Sequence, residues 1–187
     1  EKNERYGNLF LGMMLFEGNG KNEETLKRAF NLFTTSAKQG VSAAHTYLGN
    51  YYHYAYIFEK DHKKALEHYM KAVIIDDEPE ALLQIAYLYC KPGSQFKPDI
   101  KKAVRYYKLA AEQDSAEAQY ELARLYRDGK GVKKDLKNAY VLFKLSSYVE
   151  DEGPEKMEFE ALKKQLTKEQ IQAAEELYLQ VLRELAK

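Results

Sequence analysis

The chain has 187 residues, 45% of them hydrophobic and 31% charged, which suits one sizeable globular domain and excludes an intrinsically disordered chain. Lysine plus arginine and aspartate plus glutamate both number 29, so the net charge is zero. That speaks against a nucleic-acid partner, because phosphates select a basic face. Apolar runs such as Ala72-Val73-Ile74-Ile75 fall far short of the roughly 18–20 residues needed to span a bilayer.

Sixteen tyrosines and eight phenylalanines against four prolines and ten glycines point to a helical chain rich in aromatic packing. Cys90 is the only cysteine, so there is no internal disulfide, and it reads as a small core residue. The sequence starts at Glu1 without Met, which fits a trimmed start or a removed leader. Localisation is therefore open between cytoplasm and periplasm or exterior.

In chain order, the first predicted helix carries Leu11-Gly12 and Leu15, followed by the loop Gly18-Asn19-Gly20. A second, capped by Thr25, carries Ala29, Phe33 and Ser36-Ala37. The pattern then returns three times. Leu48-Gly49, Ile85-Ala86 and Leu122-Ala123 each follow the previous pair at an interval of 37. A large residue stands four positions after the first member of each pair: Leu15, Tyr52, Tyr89 and Tyr126. The second series runs Ala29, Ala65, Ala103 and Ala139, with Phe33, Tyr69, Tyr107 and Phe143 four positions on and small residues after those. Spacings of i, i+4, i+7 mark one buried helix face, and Gly or Ala there admits a neighbouring helix closely. Asp61, Asp99 and Asp135 are the predicted N-caps of the later second helices, and Pro92-Gly93, Pro98 and Gly129-Lys130-Gly131 punctuate the loops.

The fourth unit, from Ala118 through Leu122-Ala123, Tyr126, Gly129-Lys-Gly131-Val132 and Asp135 to Ala139, resembles the Sel-one-like repeat, a longer relative of the tetratricopeptide repeat. The resemblance covers residues 5–148. Unit two departs from it, placing Ala55-Tyr56-Ile57-Phe58 where Gly-x-Gly-Val belongs, and units one and three each carry an extra loop residue. The implied fold is all-α: a right-handed α-solenoid of four helix-turn-helix repeats at about 5–41, 42–78, 79–115 and 116–150, with C-terminal capping helices over 151–187. Asp151-Glu152-Gly153-Pro154 breaks the chain before a helix at 155–166. Thr167 and Gln170 form a capping box for a last helix to about Ala186, striped by Ile171, Ala174, Leu177, Leu182 and Leu185.

No catalytic constellation is present. His45, His53, His62 and His68 contain no i, i+4 pair for zinc, and Gly18-Asn19-Gly20-Lys21 lacks the spacing of a phosphate loop. No cofactor or metal is called for, an enzyme is not expected, and a small-molecule substrate is unlikely on these grounds. By similarity to the tetratricopeptide groove, the concave face takes the positions two before, two after and five after each Leu-Gly pair. These are Leu9, Met13 and Phe16; Thr46, Asn50 and His53; Leu83, Tyr87 and Cys90; Tyr120, Arg124 and Arg127. Aromatic residues, Met and Arg are the residues that concentrate binding energy at interfaces. The expected groove is apolar at its start and cationic at its end, and its expected ligand is another protein or peptide. The expected role is a bacterial adaptor or scaffold. The competing role is a dedicated inhibitor or immunity protein that neutralises a secreted toxin or lipase.

Overall fold

The computed structural model describes residues 2–18, 22–91, 95–146 and 153–185. Ten helices and no strands appear among them: α1 (Lys2–Glu17), α2 (Glu23–Lys38), α3 (Ser42–Tyr54), α4 (His62–Asp76), α5 (Pro79–Cys90), α6 (Ile100–Ala111), α7 (Ala116–Asp128), α8 (Leu136–Leu145), α9 (Pro154–Lys163) and α10 (Lys168–Leu185). The fold is an all-helical repeat solenoid. Odd-numbered helices through α7 are the first helix (A) of each repeat, and α2, α4, α6 and α8 are the second (B). The chain packs as two compact units, residues 1–98 with α1–α5 and residues 99–187 with α6–α10.

The polar punctuation starts the B helices as the residue types require. Asp61 accepts hydrogen bonds from the backbone N–H of Lys63 and Lys64, Asp99 from Lys102 and Asp135 from Asn138. Thr25 differs from expectation. The cap of α2 is Asn22, whose side chain accepts from the Thr25 N–H at 2.9 Å while the Thr25 hydroxyl oxygen accepts from the Asn22 N–H at 3.0 Å. Thr25 is thus the returning half of a capping box. The Thr167–Gln170 box forms as expected, with bonds of 2.9 and 3.2 Å.

In repeats one and two the B-helix aromatic lies on the small residue of its A helix. A Cβ at Gly12 would come within 2.7 Å of the Phe33 ring, and one at Gly49 would meet the Tyr69 ring. Ala86 and Ala123 take the same position in the later repeats and are fully buried, as are Phe33, Tyr69, Tyr107 and Phe143. The small residue is required because the ring occupies the space a larger side chain needs.

The loops of repeats two and four share one backbone despite different sequences. Ala55 takes φ 58° where Gly129 takes φ 68°. The Asp61 N–H donates to the Tyr52 carbonyl at 3.0 Å, and Asp135 to Tyr126 at 3.0 Å. The extra residues of repeats one and three fall at or beside 19–21 and 92–94, outside the described residues. At the C-terminus α9 stops at Lys163 rather than Leu166, and α10 packs on α8. Ala174 of α10 is fully buried, whereas Leu182 and Leu185 of the expected stripe are exposed.

Candidate functional site

The predicted groove positions divide sharply by burial. Leu9, Phe16, Leu83, Thr46, His53 and Tyr120 are core residues. Leu9 and Phe16 share a cluster with Phe33, Leu48 and Tyr51, while Tyr120 shares one with Phe143 and Phe159. Tight helix packing takes these side chains inward. Met13, Asn50, Tyr87, Cys90, Arg124 and Arg127 keep partial exposure.

In the first unit the polar members of this set form an internal network. The Tyr69 hydroxyl donates to Asn50 Oδ1 at 2.7 Å, and His53 Nδ1 lies 3.2 Å from the Tyr69 hydroxyl oxygen. With that proton committed to Asn50, His53 Nδ1–H is the donor and Tyr69 Oη the acceptor. His53 stacks on Tyr54 at 4.4 Å between centroids and meets His62 edge-on at 5.4 Å. Burial first, then the nearby His62, Lys91 and Lys60, push the His53 pKa down to about 4, so the ring is neutral at physiological pH. The Tyr54 hydroxyl continues outward, donating to Gln84 Oε1 at 3.1 Å.

The counterparts of Asn50 and His53 in the second unit, 74 positions on, are Arg124 and Arg127. The counterpart of Tyr69 is Phe143, which has no hydroxyl. The two arginines turn instead to α9: Arg127 Nη1 donates to Glu158 Oε2 at 2.6 Å, and Arg124 Nε lies 3.4 Å from the same oxygen. Arg127 also bonds Asp128 at 2.8 Å and Arg124 bonds Glu121 at 3.1 Å. The expected cationic end of the groove is therefore charge-compensated, with Glu158 reaching both guanidinium groups.

Histidines distant in sequence meet in space. His45 and His68, on α3 and α4, bring their Nδ1 atoms to 3.1 Å, and Tyr52 stacks on His68. Burial, then His45 and Lys71, lower the His68 pKa to about 4. His62 Nδ1 accepts from the Gln95 backbone N–H. Among the described residues no group of three or more His, Cys, Asp or Glu is placed to hold a metal ion. None of their helices is long and apolar enough to cross a membrane.

An aromatic patch surrounds the loop after α3. Tyr54, Tyr56 and Phe58 are all exposed large side chains. Tyr56 lies 5.0 Å from the Phe16 ring and 5.8 Å from Tyr54; Phe58 lies 4.9 Å from Phe30 and stacks on Tyr52 at 5.2 Å. The patch borders an open cleft of about 710 Å³ lined by Tyr52, Phe58, Lys60, Lys63 and Lys64. The corresponding cleft of repeat four, about 760 Å³, has Val132 in place of Phe58 and gathers Lys108, Lys133, Lys134 and Lys137. The sequence signal for the patch is the replacement of Gly-x-Gly-Val by Ala55-Tyr56-Ile57-Phe58. Reading that only as a departure in the loop misses that it exchanges a bare turn for two rings beside Tyr54.

Four successive helix-turn-helix repeats, with a polar network and an aromatic surface patch in the first unit, define a helical repeat protein of the tetratricopeptide-like kind. The Sel1 repeat model matches residues 6–41, 42–73, 79–115 and 116–148, and the chain belongs to the Sel1 repeat family. It is similar to c5321, a protective antigen present in uropathogenic Escherichia coli strains displaying an SLR fold, with a TM-score of 0.83 and 29% identity over 97% of this chain and 38% of that one. A Sel1 repeat protein from Oxalobacter formigenes matches with a TM-score of 0.68 and 27% identity over 78% of this chain and 58% of that one. Among curated relatives, the ERAD-associated E3 ubiquitin-protein ligase component HRD3B of Arabidopsis thaliana is 29% identical over 65% of this chain. The chain spans only 20% of that relative's length. Sel1 repeats serve as protein–protein interaction modules.

Proposed function

We propose that this chain acts as a non-enzymatic adaptor that binds a partner protein, with the aromatic patch Tyr54, Tyr56 and Phe58 as the principal contact of its first unit. The patch carries the reading: three large rings lie exposed together around one loop, and such rings concentrate binding energy. The half-buried Met13 and Tyr87 are proposed as further contacts of the first unit. In the second unit Arg124 and Arg127 contribute hydrogen-bonding edges, oriented by Glu158 rather than acting as bare charge. The ligase component among the relatives, a part of a larger assembly by its name, supports the adaptor role.

The test is cross-linking capture of partners by the wild-type chain and by the Tyr54→Ala/Tyr56→Ala double variant. Loss of a partner by tenfold or more, at roughly 1–2 kcal/mol per ring, with melting unchanged is the expected result. Unchanged capture by the folded double variant overturns the assignment of the patch. Turnover of an ester, peptide or glycoside by purified protein overturns the non-enzymatic reading. The density of rings in one place also favours a second role, a dedicated inhibitor of a single secreted toxin or lipase. One nanomolar partner in one-to-one stoichiometry selects that role; several weaker partners select the adaptor.

A further inference from the structure

No two histidines stand four apart on one helix, yet α3 and α4 bring two together from 23 residues apart in the chain. His45 Nδ1 and His68 Nδ1 lie 3.1 Å from each other, with the ring planes inclined at 39°. Both side chains are half-buried, so solvent reaches the pair. Tyr52 stacks on His68 at 5.8 Å with an inclination of 15°, which restrains that ring. Packing alone does not call for imidazole here. The corresponding pairs are Asn8 and Leu32 in repeat one, Leu82 and Tyr106 in repeat three, and Gln119 and Leu142 in repeat four. Repeat two alone sets two ring nitrogens against each other.

We propose that His45 and His68 are the two protein ligands of a site for a tetragonal divalent transition-metal ion, copper(II) above all, with water in the remaining positions. Imidazole suits such ions. Metal–nitrogen bonds of about 2.05 Å to two atoms set 3.1 Å apart close at an angle of about 98°. That is nearer to the right angle between neighbouring ligands of a square-planar or octahedral ion than to the tetrahedral angle of zinc(II). Among the divalent ions, copper(II) binds a nitrogen site most tightly.

Both rings are in the form a metal needs. Burial and then Lys71 hold the His45 pKa below its ordinary value, and burial, His45 and Lys71 lower that of His68 to about 4. Both are therefore neutral at physiological pH. A 3.1 Å contact between two neutral rings has one Nδ1–H donating to the other Nδ1 lone pair. When the ion binds, the donor ring carries its proton on Nε2 instead, so both Nδ1 lone pairs face the metal and no proton is released. Turning them onto one ion takes rotation about Cβ–Cγ, a soft torsion. Lys71 acts on both rings, and its exposed ammonium opposes a cation.

The test is titration of the full chain, carrying no histidine tag, with copper(II) at neutral pH, followed by electron paramagnetic resonance. The expected result is one ion per chain, with a dissociation constant on the order of 10 μM and hyperfine coupling to two imidazole nitrogens. His45→Gln copies Gln119 of repeat four and should keep the melting temperature. It leaves coupling to one nitrogen at most and weakens binding at least tenfold, and His68→Gln does the same. Lys71→Gln, at an exposed position, tightens binding about threefold. Absence of binding at about 200 μM copper(II) overturns the proposal. So does binding that the folded His45→Gln variant leaves unchanged, or coupling to a single nitrogen in the wild type; the pair is then an interhelical hydrogen bond only. Zinc(II) binding more tightly than copper(II) overturns the tetragonal assignment.

Discussion

Repeats two and four share a backbone and even a loop hydrogen bond, yet they satisfy their polar groups in opposite directions. Repeat two turns Asn50 and His53 inward onto the Tyr69 hydroxyl; repeat four turns Arg124 and Arg127 outward onto Glu158 of α9. The exchange is coordinated. Phenylalanine at 143 removes the internal acceptor just where the neighbouring residues become too long and too charged to be buried. A repeat scaffold therefore tolerates either solution. The surfaces differ accordingly: the first unit exposes the Tyr54, Tyr56 and Phe58 rings, and the second pairs its arginines with Glu158.

Acidification breaks the comparison most strongly, because all four histidines lie in the first unit. His53 and His68 have folded pKa values lowered to about 4, below the ordinary 6.5. Between those values the unfolded chain binds more protons, so stability falls as pH drops through this window. The loss is about 1–2 kcal/mol per histidine by about pH 5. Hydrogen exchange should show α3 and α4 losing protection before α7 and α8, and uniform loss contradicts the assignment.

Tyr69→Phe copies the residue of repeat four into repeat two without its arginines. It leaves Asn50 and His53 short of a partner and should cost about 1–2 kcal/mol in chemical denaturation. A neutral result means the network contributes nothing net. Glu158→Gln probes the other solution. Because Arg124 and Arg127 are partly exposed, the expected loss is about 1 kcal/mol, shrinking at high salt; a salt-independent loss points to packing instead.

The smallest effect concerns the loops. Ala55→Gly relieves a left-handed alanine and should stabilise by about 0.5–1 kcal/mol, whereas Gly129→Ala should destabilise by a similar amount. Equal signs in thermal melts show that the two loops are not equivalent in energy.

The repeat architecture was legible in the residues alone because its rules are local and periodic. The 37-residue interval, the Asp caps and the Gly or Ala beneath each aromatic follow from helix geometry and close packing. The loop of repeat two was legible as an exception but not as an aromatic patch, since Phe16 and Phe30 come from another repeat to meet it. Burial of Leu9, Phe16, Leu83 and His53 was likewise decided only in three dimensions. Their positions on a helix are periodic, but whether a neighbour covers them depends on how closely the helices approach. The pairing of Arg124 and Arg127 with Glu158 had no repeat to predict it, because α9 lies outside the repeats. Charge partners across a distance of thirty or so residues are set by the packing of whole helices, which spacing within a sequence does not encode.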